Sequence, residues 1–128
     1  MTDAMKQHGA FSWNELMTTD VDAAIKFYGE LFAWTLEDMN ANDMEYTIAR
    51  SNDREVADIM AIPPEAGTMP PMWGAYVTVD DVEVSAKQVE SLGGKIISAL
   101  RNIANIGRFC VICDPQGAVL SLISYFNR

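Results

Sequence analysis

Two cysteines three residues apart, Cys110 and Cys113 in "RFCVICDP", are the residues whose types and spacing most directly suggest chemistry. A C-x-x-C pair supplies half of a tetrahedral zinc site or a dithiol redox couple. The neighbouring residues argue against both uses. "RFCVIC" reads as a strand, in which residues three apart point to opposite faces, and the chain has no second cysteine pair to complete a zinc site. The pair is therefore read as two reduced strand cysteines. Histidine occurs once, as His8, several residues before the first apolar run. Carboxylates are plentiful: eighteen Asp and Glu against nine Lys and Arg, a formal charge of −9 at pH 7. Such an excess repels phosphate backbones, so a nucleic-acid partner is not expected. It would attract a cationic ligand, although acidic surfaces also serve solubility.

The elements that must position these groups come from a chain of 128 residues, the size of one domain, 49% of it hydrophobic. No apolar run approaches the roughly 20 residues of a membrane span, and the opening "MTDAMKQHGA" has no apolar signal core. The reading is cytoplasmic, with no membrane partner. Within this length one pattern occurs twice. "FSWNELMT" reads as a strand, Asp20 as a helix N-cap, and Val21, Ala24, Ile25, Tyr28, Leu31 and Phe32 as a helical stripe. "GAYVTV" is then the second strand, Asp81 lies in the second cap region, and Val82, Ala86, Val89 and Leu92 form the second stripe.

After each helix the period turns toward two. "WTLEDM", "MEYTIAR" and "EVADIMAI" follow the first, and "KIISAL", "GRFCVICD" and "AVLSLISYF" the second. "NAND", "SNDR" and "DPQG" supply turns, and Gly93 with Gly94 a helix C-cap. Each unit is strand–helix–strand–strand–strand. The expectation is one α+β domain over residues 1–128: a module over about 10–62, a joint over 63–71 too Pro-rich for either element, and a second module over about 72–126. A unit of about sixty residues is marginal for burying its own sheet. Two in a pseudo-twofold arrangement would share a core, with helices outside and a cup-shaped mixed sheet inside.

The strings "TTDVDAAIKFYGELFAW", "VDDVEVSAKQVESLGGKI" and "CDPQGAVLSLI" resemble the vicinal oxygen chelate superfamily of glyoxalases, bleomycin-resistance proteins and extradiol dioxygenases. The opening "WNELMTTD" resembles its glyoxalase-related branch of uncertain function. The resemblance implies a divalent metal at the bottom of the cup, held by His, Gln or Glu on the first and last strand of each module. It also implies a homodimer, since family members commonly dimerise. Carried onto this chain, the ligand positions fall on Trp13, Gly74, Ser121 and a place near Asp58, its register open by one or two residues. Only Asp58 is a good metal ligand, so no metal or other cofactor is expected.

If position 13 faces the cup, strand alternation brings Glu15 and Met17 with it, and Tyr76 and Thr78 on the second module. Ser121, Asp58 and Met60 complete the expected lining. Trp13, Glu15, Asp58, Met60, Tyr76 and Ser121 are therefore the expected ligand-binding residues, and Glu15 is a candidate general base. Each has a plainer reading: Glu15 reaching water or Arg50 or Arg108, Trp13 packed in the core, and Asp58 on the surface in the opposite register. The leading expectation is a metal-free small-molecule-binding protein, with the drug-sequestering resistance proteins as its models. The alternatives are a metal-dependent lyase, isomerase or dioxygenase related to lactoylglutathione lyase, rebuilt around Glu15, Asp58 and His8, and a sheet that serves self-association.

Overall fold

Both helices begin where an aspartate can hold their first free N–H groups. In the computed structural model, which describes residues 3–41 and 44–126, Asp20 accepts from the Ala23 N–H at 3.0 Å and opens α1, Val21–Phe32. Asp81 accepts from the Glu83 and Val84 N–H groups at 3.0 and 3.3 Å and opens α2, Val82–Ser91. A capping aspartate satisfies donors that the first helical turn leaves without partners. At the far end of α2, Gly93 takes φ 96° and the Gly94 N–H returns to the Val89 carbonyl at 2.9 Å. The expected glycine C-cap is present.

Eight strands complete the α+β architecture: β1 Phe11–Thr18, β2 Thr35–Ala41, β3 Met44–Ser51, β4 Arg54–Ala61, β5 Met72–Thr78, β6 Lys95–Ile103, β7 Gly107–Cys113 and β8 Val119–Tyr125. The chain resolves into two compact units: Asn14–Gly74, and the segment up to Trp13 together with the stretch from Ala75 onward. In the first, the strand order is β2-β3-β4-β1, antiparallel except that β1 runs parallel to β4. The second repeats this as β6-β7-β8-β5, with β5 parallel to β8. The twofold strand–helix–strand–strand–strand order is therefore present. No helix among the described residues is long and apolar enough to cross a membrane.

Two expectations are corrected. The helical stripes were drawn one turn too long: Leu31, Phe32 and Leu92 are 58%, 53% and 74% exposed, and Leu92 is the C-cap of α2. Near a helix end the periodic position has run past the sheet it would cover. The Pro-rich joint also holds one turn of 3-10 helix, Pro64–Ala66, with Pro63 as its N-cap and Pro64 at its first position, where a missing N–H costs nothing. The turn expected at "NAND" includes positions 42 and 43, which lie outside the described residues.

What remains of each stripe makes the cores. Val82, with Ala86 and Val89 beside it, packs on Val79, Cys110 and Leu122, where fully burying a Val or Leu contributes about 1.5–3 kcal/mol. Under α1 lie Leu16, Ala49, Ala57 and Ile59. Gly29 brings that helix down on the Leu36 side chain, which a methyl group at 29 would meet at 3.1 Å.

The segment before β1 is tied to the end of β5. Gly9 N–H donates to the Thr78 carbonyl, Thr78 N–H to the Ala10 carbonyl, and Thr78 Oγ1 to the Ala4 carbonyl, each at 2.8 Å. These bonds group residues 3–13 with the later half of the chain.

Candidate functional site

Strand register sorts the candidate side chains. In the Asn14–Gly74 unit, Glu15 lies beside Asp58, Asp58 beside Ile48, and Ile48 beside Glu37, a row crossing all four strands on one face. Neighbouring rows, Leu16–Ile59–Thr47–Asp38, hold the opposite face, where Thr47 Oγ1 donates to Asp38 at 3.0 Å. Leu36, which meets α1 at Gly29, shares that second face. Glu15 and Asp58 therefore point away from the helix, and Met17 and Met60, partners in the next same-face row, point with them.

The register of Asp58 is now fixed. It stands beside Glu15 as Ser121 stands beside Tyr76 in the other unit. Asp58 is 5% exposed, so the surface reading does not hold. Burying a carboxylate costs several kcal/mol unless it is partnered, and Asp58 and Glu15 are both engaged. No buried side-chain nitrogen or oxygen among the described residues lacks a hydrogen-bond partner.

A residue not singled out from the sequence joins this pair. Tyr46 is two positions from Ile48 and so shares the Asp58 face. Its phenol is held above the ordinary range, first by burial, then by the negative charges of Asp58 and Glu55. Tyr46 thus remains a neutral O–H donor close to two carboxylates. Alternation within "MEYTIAR" was the available signal, but it could not say which residue of β4 lay opposite. The two arginines considered for Glu15 have other partners: Arg50 bridges Glu37 at 2.5 Å and Glu55 at 3.0 Å, and Arg108 pairs with Glu83.

In the second unit, Tyr76, Ser121 and Val111 form one row. Cys110 belongs to the alternate face and is fully buried in the α2 core, which raises its thiol pKa. By strand parity Cys113 faces the other way, and both cysteines are free. Tyr76 is buried against Phe109, ring centroids 6.0 Å apart, and Ser121 is half-buried. Trp13 is half-buried and engaged. His8 Nδ1 accepts from the Asp80 N–H at 2.9 Å, with the Asp80 carboxylate 3.8 Å away. That bond occupies one of the two imidazole nitrogens through which a histidine ligates metal.

The four positions implied for a metal bear an indole (Trp13), a hydrogen (Gly74), a hydroxyl (Ser121) and one carboxylate (Asp58). Among the described residues, no group of three or more His, Cys, Asp or Glu is placed to hold a metal ion. This donor set does not fit a divalent ion that wants several oxygen or imidazole ligands. Gly74 leaves room: a methyl group there would meet only the Glu15 carbonyl, at 3.9 Å. A carboxylate pair, a protonated phenol and a vacant side-chain position suit recognition of an organic group better than metal coordination.

A helix laid over four strands, with the first and last strands parallel, and the whole motif used twice, is the βαβββ architecture. The chain belongs to the Glyoxalase/Bleomycin resistance protein/Dioxygenase superfamily, whose model matches residues 10–122. It is 38% identical over 119 residues to CFP32 of Mycobacterium bovis, a candidate glyoxylase, covering 91% of this chain and 46% of that protein. It is 32% identical over 129 residues to the anthracycline biosynthesis protein DnrV of Streptomyces peucetius, covering 89% of this chain and 46% of that one. The chain thus spans about half the length of these curated relatives. Among solved structures, methylmalonyl-CoA epimerase from Mycobacterium tuberculosis shares the fold at a TM-score of 0.63 and 17% identity, over 90% of this chain and 86% of that one.

Proposed function

We propose that the chain binds a small organic molecule without a metal ion, using the face of the Asn14–Gly74 sheet turned away from α1. The observation that carries this reading is the in-register pairing of Glu15 with buried Asp58, where the family's metal would require further ligands. The two carboxylates, with Tyr46, would receive a cationic or hydrogen-bond-donating end of the ligand. Met17 and Met60, the next row of the same face, would supply apolar contact, and Trp13, two residues before Glu15 on the same strand, an indole. An indole stacked on a flat ring contributes roughly 0.5–1.5 kcal/mol beyond burial alone. The similarity to a protein named for anthracycline biosynthesis supports a flat, polycyclic ligand class.

The test is a fluorescence titration of the Trp34→Phe/Trp73→Phe variant, in which Trp13 is the sole indole, with an amino-sugar anthracycline. Quenching should saturate, and treatment with a chelator should leave the affinity unchanged. Asp58→Asn removes a charged acceptor worth about 1.5–3 kcal/mol, so affinity should fall by roughly tenfold or more. Loss of binding on chelation, restored by one metal ion per chain, would instead favour the metal-dependent lyase, isomerase or dioxygenase reading. No response at Trp13, or an unchanged affinity in Asp58→Asn, removes the proposed site.

A further inference from the structure

Equivalent strands of the two units carry opposite charge. β1–β4 hold six acids: Glu15, Glu37, Asp38, Glu45, Glu55 and Asp58. β5–β8 hold none, although acids outnumber bases eighteen to nine in the whole chain. Strand register shows the exchange position by position. The row Glu15–Asp58–Ile48–Glu37 has its counterpart in Tyr76–Ser121–Val111–Ser98. Each carboxylate of the first row is a hydroxyl in the second. In the next row of the same face, Tyr46 pairs with Met39 in the first unit, and Phe109 with Arg101 in the second. A thioether there gives way to a guanidinium.

The bases of β5–β8 are Lys95, Arg101 and Arg108. Arg108 lies on the α2 side, where it pairs with Glu83. Arg101 lies on the other face: its neighbour Leu100 packs into the α2 core, and its partner Phe109 alternates with Cys110 of that core. Lys95, opposite Cys113, shares the face of Arg101. Both are exposed, and among the described residues neither belongs to an ion pair. Arg50 of the first unit, by contrast, is held by two carboxylates. Ser98 and Ser121 are half-buried between these bases and the Tyr76–Phe109 ring pair.

We propose that the face of β5–β8 turned away from α2 is a second ligand site, which takes the carboxylate of an aromatic acid on Arg101. A guanidinium presents a planar fork of N–H donors that a carboxylate meets with two parallel bonds. Ser98 and Ser121 add neutral O–H donors, and Phe109 offers a ring against which a flat body packs. The same ligand would be repelled by Glu15 and Asp58, whereas no strand of the second unit supplies an acid. The overall −9 does not prevent this. At physiological ionic strength, exposed charges more than about 8 Å apart are largely screened, so the adjacent side chains decide. The site uses none of the residues assigned above to a cationic ligand, and it stands independently of that reading.

The experiment is an NMR titration of the amide signals of the full chain with 2-naphthoate, and in parallel with its neutral analogue 2-naphthamide. Naphthoate should give saturable shifts at Arg101, Phe109 and Ser121, and naphthamide should bind tenfold or more weakly. Arg101→Met, which installs the residue type of the equivalent Met39, should lower naphthoate affinity tenfold or more and leave naphthamide affinity as it was. Arg101 is exposed, so the remaining amide signals should keep their positions in this variant. Ser121→Asp, which restores the acid of the equivalent Asp58, should lower naphthoate affinity at least as far. Shifts that fail to saturate, or that fall on Asn14–Gly74 alone, overturn the proposal. Equal affinity for the amide overturns it too, as does an Arg101→Met variant that binds naphthoate like the wild type.

Discussion

A methyl group added at Gly74 and one added at Gly94 should have opposite effects. Gly74 lies in β5 without positive φ, and a Cβ there meets only the Glu15 carbonyl, at 3.9 Å. Ala at such a site narrows the unfolded ensemble and should stabilise by about 0.4–1 kcal/mol. Gly94 closes α2 onto β7. A Cβ there would sit 2.6 Å from the Cys113 carbonyl oxygen and 3.0 Å from Val89 Cγ1. The first distance is a clash with main chain, so backbone must move, and overpacking of this kind costs about 1–3 kcal/mol before the smaller entropic gain is returned. At about 3–5 °C per kcal/mol for a chain of this size, Gly74→Ala should raise the thermal midpoint by about 1–5 °C. Gly94→Ala should lower it by several degrees. Paired melts followed by circular dichroism, with urea titrations to confirm, make the comparison. A fall in midpoint for Gly74→Ala would show that position 74 is filled, and the vacant-position argument for ligand access would fail. A neutral Gly94→Ala would refute the packing argument for the end of α2.

Other outcomes follow from the same geometry. Tyr46 and Cys110 both have folded pKa values above their ordinary ones, so each favours folding fully below its unfolded pKa and progressively less as pH rises through the folded one. Stability should therefore decline above about pH 9–10, and Asp58→Asn should bring the Tyr46 phenolate absorbance in at lower pH than in the wild type. Asp81→Ala, which releases two helical N–H groups, should cost about 1–2 kcal/mol in urea unfolding, and Asp20→Ala, which releases one, nearer 1 kcal/mol. His8→Ala removes an exposed hydrogen bond worth at most about 1.5 kcal/mol. It should leave elemental analysis of the purified protein unchanged; a loss of bound metal in this variant would restore His8 as a ligand.

The local features were legible because local chemistry specifies them. Asp20 and Asp81 were readable as caps from their place before a helical stripe, and Gly93–Gly94 as a stop from the need for positive φ. The opposite-facing cysteines followed from period two alone. The side of the sheet on which Asp58 falls depends on parallel pairing with a strand some forty residues earlier, and no local letter encodes that register. Tyr46 was missed for the same reason. Leu31 and Leu92 continue a helical period perfectly well; what the period cannot show is where the underlying sheet stops. A hydrophobic position at a helix end is therefore ambiguous between core and surface, and here several fell on the surface.

The ties of residues 3–13 also bear on how the chain folds as it is made. Ser12 Oγ and Tyr125 Oη, 2.8 Å apart, are separated by 113 residues, and Thr78 Oγ1 reaches the Ala4 carbonyl across 74. At synthesis rates of about 5–20 residues per second, that first partner emerges roughly 5–20 s after Ser12. Hydrogen bonds within α1 form in about a microsecond or less once their residues are free. The Asn14–Gly74 stretch can thus be assembled while the strand leading into it still lacks its eventual neighbours. During that interval Gly9 and Ala10 gain their backbone partner as soon as Thr78 of β5 emerges, while the Ser12 hydroxyl still waits for Tyr125. The last strand to be made, β8, is the one whose arrival brings that interval to an end.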